Sequence, residues 1–576
     1  MIKTKFIFVA GGVMSGIGKG ITVASTGRIL ENYGFNVTAV KIDPYLNVDA
    51  GTMNPTEHGE VFVTEDGMES DQDLGNYERF LNKDILRDNY MTSGSLYRAV
   101  IDRERNLKYG GKCVQIIPHI TDEIEERLLK VAKKTKADFV LVEIGGTVGE
   151  YENLLFLETG RIMKLKMPGQ ILFMLVSYLP IPAMIGEMKT KPTQHAVRSM
   201  NYAGIQPDII IARSSQPLDS VRKQKVSIFC NVAVRDVISA PDINSTPLEV
   251  ASPRSDGLAP LARARLLTGS IYEVPVNFEK DNLGKRILEK LELKPRSKKS
   301  GRWNNLVKNI KTSSKPVKIG IVGKYFGTGD FVLADSYISV IEAVKHAAWS
   351  LKRHPEIIWL NAETYEKTPA ALEELKKLDG IIVPGGFGSR GVEGKILAIN
   401  YARNNNISFL GLCYGLQLAV VEFARNVCGL KDAHTTEVNK NTPHPVITTM
   451  PDQIAKIKEK NMGGSMRLGG YKCHLVKDTL SRKLYGKDLI SERHRHRYEV
   501  NNDYVEKLKN KGLLVAGINP ERKLVEIIEL PPQSIQGKPK HKFFVATQFH
   551  PELKSRPLDP HPLFVGLIKS AIIDKN

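Results

Sequence analysis

At 576 residues, with 42% hydrophobic and 25% charged residues, the chain is too long for one core and too apolar to be disordered, so more than one globular domain is expected. Five cysteines with no C-x-x-C pair argue against a disulfide framework or a zinc site, and the lack of an apolar run of about 18 residues argues against a membrane span, so a cytoplasmic protein is expected. The net charge of +19 would attract any polyanion, nucleic acid or nucleoside triphosphate, but no aromatic-interleaved basic stripe or zinc-finger spacing favours nucleic acid.

The first segment, Phe6-Ile-Phe-Val-Ala-Gly-Gly-Val-Met-Ser-Gly-Ile-Gly18-Lys19-Gly20-Ile-Thr22, reads as an apolar strand, a glycine-rich loop and a helix running to about Glu31. Backbone N–H groups of such a loop and the helix N-terminus cradle an anion, and Lys19 can reach terminal phosphates. The spacing departs from G-x-x-x-x-G-K-[ST], because five residues separate Gly12 from Gly18 and Gly20 follows the lysine.

Two further strands follow. Val37–Asp43 ends in Lys41 and Asp43 before an acidic stretch that contains Glu69, Asp71 and Asp73, and Asp138–Glu150 carries Glu143 beside glycines. Strand ends in an open α/β sheet hold ligands, so Asp73 and Glu143 are candidate hard oxygen ligands for Mg2+, with water completing the octahedron. Solvated loop carboxylates are the blander alternative. The loop Gly186–His195 places Lys189 and Lys191 beside hydrogen-bonding groups, with Pro192 opposing a regular helix through the lysines. Alternating patterns then continue a doubly wound sheet.

From about Asn277 the texture turns polar and cationic, as in Leu291-Glu-Leu-Lys-Pro-Arg-Ser-Lys-Lys. We therefore expect a domain over 1–276, a basic linker with short helices over 277–315 and a second α/β domain over 316–576. In the latter, Phe409-Leu-Gly-Leu-Cys413-Tyr-Gly-Leu-Gln417 reads as a strand, a sharp turn and a helix, a nucleophile elbow with Cys in the Ser position. A cysteine there is by itself more often merely packed. Two downstream features change that weighting. The strand leading into Pro384-Gly-Gly386-Phe-Gly388 ends in N–H groups able to stabilise an oxyanion, and Phe543–Glu552 brings His550 and Glu552 to a strand end. Cys413 as nucleophile, His550 as proton shuttle and Glu552 as its orienter supply all three roles of a triad.

With both halves read, the chain closely resembles the CTP synthase family of glutamine-dependent amidoligases along nearly its whole length. The resemblance is carried by Gly11–Gly20, Lys41–Met53, His58–Gly67, Val142–Gly149, Lys189–Gln194, Pro384–Gly388 and Glu492–Asn501. It implies a P-loop-type amidoligase domain joined to a class I glutamine amidotransferase domain, converting UTP to CTP with ATP and glutamine. By the same resemblance, Ser15, Gly16, Ile17, Gly18, Lys19 and Gly20 would hold ATP with Asp73, and Asp242 and Ile243 would lie near its adenine; Asp73 and Glu143 would bind magnesium. Ser15, Glu150, Tyr151, Glu152, Lys189, Thr190, Lys191, Pro192, Thr193, Gln194 and Lys225 would contact UTP or inhibitory CTP. Gly386, Tyr414, Gly415, Leu416, Gln417, Glu437 and Arg497 would bind glutamine, with GTP as an activator near Arg390 and Glu393 and a lid at Gly463–Arg467.

A homotetramer able to stack into filaments is implied as well, with no nucleic-acid or membrane partner. Ammonia made at Cys413 would reach the other site through a channel near His58. The chain departs from the family at Tyr414 and Leu416, where the elbow is usually Cys-Leu-Gly-Met-Gln, at Glu150, where Asp is common, and in the 533–540 insertion. Another phosphate-loop amidoligase, or a non-catalytic filament or nucleic-acid role for the basic chain, are the alternatives.

Overall fold

The computed structural model describes residues 3–53, 59–243, 269–297, 299–324, 334–449, 466–532 and 540–573. His58, residues 463–465 of the expected lid and residues 533–539 of the insertion lie outside them. The chain forms two compact units. The first comprises Met1–Thr52, Asp73–Ser245 and Thr268–Val307, and the second takes in Met53–Gln72 and Lys308–Asn576. The boundary expected at 276/277 thus falls within the first unit and that at 315/316 within the second.

In the first unit seven parallel strands lie in the spatial order Tyr90–Thr92, Val37–Asp43, Phe139–Ile144, Lys5–Gly12, Ile171–Tyr178, Ile209–Ser214 and Val237–Pro241. Near-continuous apolar runs such as Phe6-Ile-Phe-Val-Ala are what strands buried on both faces require, and Phe6 to Ala10 are all at most 2% exposed. The chain leaves Lys5–Gly12 toward one edge and later returns to its other side with Ile171–Tyr178. That makes the carboxyl end of Lys5–Gly12 a topological switch point, where an open sheet opens a crevice.

The basic stretch read as a linker carries the helices Leu283–Lys290 and Gly301–Thr312. Trp303 is 2% exposed, donates to the Tyr272 carbonyl at 2.9 Å and packs on Phe80, with ring centroids 5.3 Å apart. The described lysines there are exposed while this apolar side is buried, which composition alone does not reveal.

The second unit has a nine-stranded sheet in the order His354–Asn361, Pro316–Gly323, Gly380–Val383, Ser408–Leu412, Phe544–Thr547, Val525–Leu530, Leu514–Ile518, Arg467–Leu475 and Leu489–His496. The first five strands run parallel and the rest antiparallel. Because Gly380–Val383, Ser408–Leu412 and Phe544–Thr547 are parallel neighbours, their carboxyl ends deliver Pro384, Cys413 and Gln548 to the same edge. Residues 59–72 join this unit through a short hairpin, Phe62–Val63 with Glu69–Ser70. Glu65 pairs with Arg493 at 3.2 Å, and Glu69 with Arg495 at 2.8 Å.

Candidate active sites

In the first unit the loop after Lys5–Gly12 turns through Gly16 and Gly18, whose φ values of 71° and 81° are left-handed and suit glycine. The helix Lys19–Asn32 starts there, its first N–H groups facing the loop. Ser15 and Gly16 are exposed at the tip, whereas Ile17 and Lys19 are buried. Lys19 Nζ donates to the Gly146 carbonyl at 2.7 Å, and burial lowers its pKa against the pull of Glu143. The unusual Gly20 has a steric reason: a Cβ there would lie 2.1 Å from Asp73 Oδ1.

Asp73 and Glu143, far apart in sequence, converge on one ammonium. Lys41 Nζ bonds Asp73 in a short ion pair and donates to Glu143 Oε1 at 2.8 Å, with Asp43 at 3.7 Å, and Tyr77 donates to the other Glu143 oxygen. Burial would raise the Asp73 carboxyl, but Lys41 outweighs it and holds the pKa low. Burial, joined by repulsion from Asp73, raises that of Glu143. Two hard carboxylates already sharing one cation fit a magnesium ion. Among the described residues no group of three or more His, Cys, Asp or Glu could hold a metal, so phosphate and water oxygens would complete such a shell.

Asp242 is tied to Ser214 O at 2.8 Å and pairs with Arg213, whose guanidinium lies 2.8 Å from where a Gly18 Cβ would be. The half-buried Asp242 and Ile243 thereby lie on the phosphate-loop side of the sheet end. Glu150 accepts from Thr147 N at 3.0 Å and Thr147 Oγ1 at 2.5 Å, while Tyr151 and Glu152 are exposed.

The lysine loop gives way to a helix at Lys191–Tyr202, with Pro192 in the first turn, where its missing N–H is no loss. This helix seats on the phosphate-loop strand: a Cβ on Gly12 would lie 2.4 Å from that of Ala196. Thr190, Thr193 and Gln194 are buried, Gln194 Nε2 donating to Thr190 at 3.1 Å and Ser177 donating to Thr193 at 2.9 Å. Lys191 and Lys225 are exposed, and Lys189 pairs with Glu187 at 2.7 Å. The pyrimidine candidates thus divide into internal ties and open cations.

In the second unit Cys413 caps the helix Tyr414–Asn426 at φ 51°, a strained conformation for a non-glycine residue, and its N–H donates to Thr547 O at 2.7 Å. Gly415 is required by close approach, since a Cβ there would lie 2.1 Å from the Val383 carbonyl oxygen. Cys413 is 4% exposed, with Gln548 Nε2 and the Arg495 carbonyl oxygen each 3.9 Å from its sulfur. His550 Nδ1 is 2.7 Å from Glu552 Oε1. Its Nε2 is buried without a hydrogen-bond partner among the described residues. Burial disfavours the imidazolium, but the charges of Cys413 and Glu552 outweigh it and hold the His550 pKa well above its ordinary value. A Cβ on Gly385 would meet His550 Cε1 at 2.8 Å and Cys413 Cβ at 3.8 Å, so the glycine turn covers the pair closely.

Around them, Gly388 N donates to Glu437 at 2.7 Å, Tyr414 OH to Gly388 O at 3.0 Å and Gln417 Nε2 to Tyr498 O at 3.0 Å. Gly386 lies in the covering turn, Leu416 is fully buried, and Arg497 is close enough to Glu437 for its charge to act there, although burial still raises the Glu437 pKa. Arg390 pairs with Glu363 at 2.6 Å and Glu393 with Arg425 at 2.8 Å. The arrangement can run nucleophilic acyl transfer.

Three side chains packed at these candidate sites escape the sequence. Lys41 reads only as a strand end, Gln548 as part of a strand, and Lys395, 1% exposed, as one more charge on a helix. Only a lysine amid the apolar positions of Val392–Asn404 hints at the last.

Residues 5–253 match the family model described as the CTP synthase N-terminus, and residues 332–570 match glutamine amidotransferase class-I. The chain is 48% identical over 570 residues to a CTP synthase of Thermococcus gammatolerans, covering 99% of this chain and 98% of that one. Over 570 residues it is 48% identical to one of Nostoc punctiforme, covering 99% and 97%, and over 569 residues 48% identical to one of Sulfurisphaera tokodaii, covering 99% of each.

Proposed function

The chain belongs to the CTP synthase family, and from that membership we propose that its two units divide one reaction between the two sites described above. The enzyme aminates UTP to CTP at the expense of ATP, with ammonia released from glutamine. The observation that carries the division of labour is the strained Cys413 backed by the His550–Glu552 pair in one unit, with a complete phosphate loop in the other.

In the glutaminase, Cys413 Sγ attacks the side-chain carbonyl carbon of glutamine. His550 takes the thiol proton and returns it to the departing ammonia, leaving a thioester that water cleaves to glutamate. Glu552 holds the imidazole by Nδ1. Turn N–H groups about Gly386 receive the oxyanion, while Tyr414, Gly415, Leu416, Gln417, Glu437 and Arg497 orient the substrate.

In the synthetase, residues Ser15–Gly20 wrap the phosphates of ATP and Lys19 balances their charge, with Asp242 and Ile243 toward the adenine. Asp73 and Glu143 would hold magnesium, which when bound supplies charge neutralisation at those phosphates. Ser15, Glu150 to Glu152, Lys189 to Gln194 and Lys225 hold UTP, whose 4-oxygen must be phosphorylated to become a leaving group before ammonia displaces it. Free ammonia at neutral pH is mostly ammonium, a non-nucleophile, so delivery within the protein suits the chemistry.

Feedback by CTP, activation by GTP near Arg390 and Glu393, a homotetramer and a cytoplasmic location complete the proposal. No helix among the described residues is long and apolar enough to cross a membrane. The test measures UTP-dependent CTP formation with glutamine or with high ammonium after Cys413→Ala. Loss of the glutamine-driven reaction alone supports the division; loss of both, or of neither, overturns it.

A further inference from the structure

Lys395 belongs to the first turn of the helix Val392–Asn404, yet its side chain runs inward and is 1% exposed. Its ammonium lies 5.6 Å from the centroid of the Tyr414 ring, and a Cβ on Gly386 would be only 3.6 Å from Nζ. No hydrogen-bond acceptor reaches Nζ among the described residues. The turn beside it is thin: the neighbouring Gly385 has His550 Cε1 and Cys413 Cβ within 2.8 Å and 3.8 Å of where its own Cβ would be. A second ammonium lies under the same turn. Lys324, at the end of Pro316–Gly323, bonds the Phe387 carbonyl.

Burying a bare ammonium is costly, and a cation–π contact offsets only part of that cost. The aromatic ring therefore does not explain a buried charge beside another cation. An anion on the far side of the turn does. We propose that Lys395 is a positioning residue of the glutaminase, its ammonium seated over Tyr414 beneath the Gly385–Gly388 turn so as to favour the anionic form of Cys413. The inference rests on Cys413 being the nucleophile.

The charged groups facing Lys395 act on it in opposite directions. Burial and then Lys324 lower its pKa to about 7, while Cys413 raises it. Coupling is reciprocal, so a thiolate that favours the charged lysine is favoured by it in turn. His550 faces Cys413 from the strand end after Phe544–Thr547, and Glu437 closes the turn at Gly388 N. Lys395 is thus a second cation for the thiolate, beside the imidazolium.

The test follows alkylation of Cys413 by iodoacetamide against pH in the full chain, read on the Cys413 peptide, with Cys413→Ala as background. Lys395→Met should move the midpoint of the profile up by about one pH unit, slowing alkylation near neutral pH about tenfold. Lys395→Arg should restore most of the rate. Glutamine-driven CTP formation should fall in parallel while the ammonium-driven reaction is kept, and the thermal midpoint of the second unit reports on folding. If Lys395→Met does not fold, Lys395→Gln carries the same comparison. A Met or Gln profile that superposes on that of the unsubstituted protein overturns the inference. Glutaminase activity that survives Cys413→Ala would instead overturn the nucleophile assignment beneath it.

Discussion

Lys41 Nζ donates to Glu143 Oε1 at 2.8 Å while also bonding Asp73, so one monocation bridges two carboxylates that come from positions 32 and 102 residues away in the chain. A dication held by the same pair must compete with this lysine. Replacing Glu143 with Gln should raise the magnesium concentration for half-maximal ammonium-driven CTP formation by at least about tenfold, the cost of losing even a supporting partner of a metal site. The glutaminase should be unaffected. An unchanged magnesium titration would remove Glu143 from the metal site.

Gly415 and Gly301 give a steric contrast. Ala at 415 would press its Cβ to 2.1 Å from the Val383 carbonyl oxygen, backbone against which nothing can rotate away, whereas Gly301 has nothing within 4 Å. Gly415→Ala should cost about 1–3 kcal/mol, outweighing the gain of about 1 kcal/mol that Ala brings to a helix. Gly301→Ala should stay within about 0.5 kcal/mol. Denaturant midpoints of both variants read the difference.

Glu552 is expected to set both the orientation and the charge of His550. Glu552→Gln should reduce glutamine-driven turnover by about 100-fold or more while leaving the ammonium-driven reaction intact. Because the His550 pKa is raised in the folded protein, its contribution to stability is complete below the unfolded value of 6.5 and is lost as pH rises through the folded one. Removing one of its two anionic partners should therefore move the alkaline limb of the glutaminase profile to lower pH. A limb that stays in place would mean that Cys413 alone holds the proton.

A buried ring of charged and polar groups lies near His550. Arg467 donates to Glu499 at 3.1 Å and to Glu526 at 2.5 Å, and His494 and His496 share a 2.9 Å hydrogen bond. His494 is also 3.5 Å from Glu526, and His496 3.5 Å from Glu499. Burial pushes Glu499 up to about 8 and Glu526 up to about 7, against the pull of Arg467. The two histidines are pushed well below their ordinary value by burial and by Arg467.

The signs of these shifts oppose one another at low pH. The folded carboxyls keep protons that the unfolded chain releases, so stability falls as pH rises from about 4.5 toward 8; the histidines gain protons only on unfolding, so stability rises until about pH 6.5. Above that point, within this ring, only the carboxyls act; His550 adds to the decline and Lys395 opposes it. The thermal midpoint of the second unit should decline between about pH 6.5 and 8.5, and Glu526→Gln should flatten the decline. A Glu526→Gln variant with the same pH dependence as the unsubstituted protein would contradict it.

Both candidate loops are local, which is why their strand–turn–helix form is legible in the sequence. An apolar run, a glycine-bearing turn and a helical period suffice to set Lys19 and Cys413 at strand–helix junctions, and His550 and Glu552 lie two residues apart beyond another such run. What joins those pieces depends on strand order. The parallel neighbours Gly380–Val383, Ser408–Leu412 and Phe544–Thr547 bring the glycine turn, Cys413 and His550 to one edge, and Val37–Asp43 beside Phe139–Ile144 brings Lys41 to Glu143. Only the tertiary structure could assign Gly20 to the space taken by Asp73, bury Lys395 over Tyr414 and close the ring about Arg467. Each is a contact between side chains distant in sequence, and the burial that defines its electrostatics is a property of the packed core rather than of any local pattern.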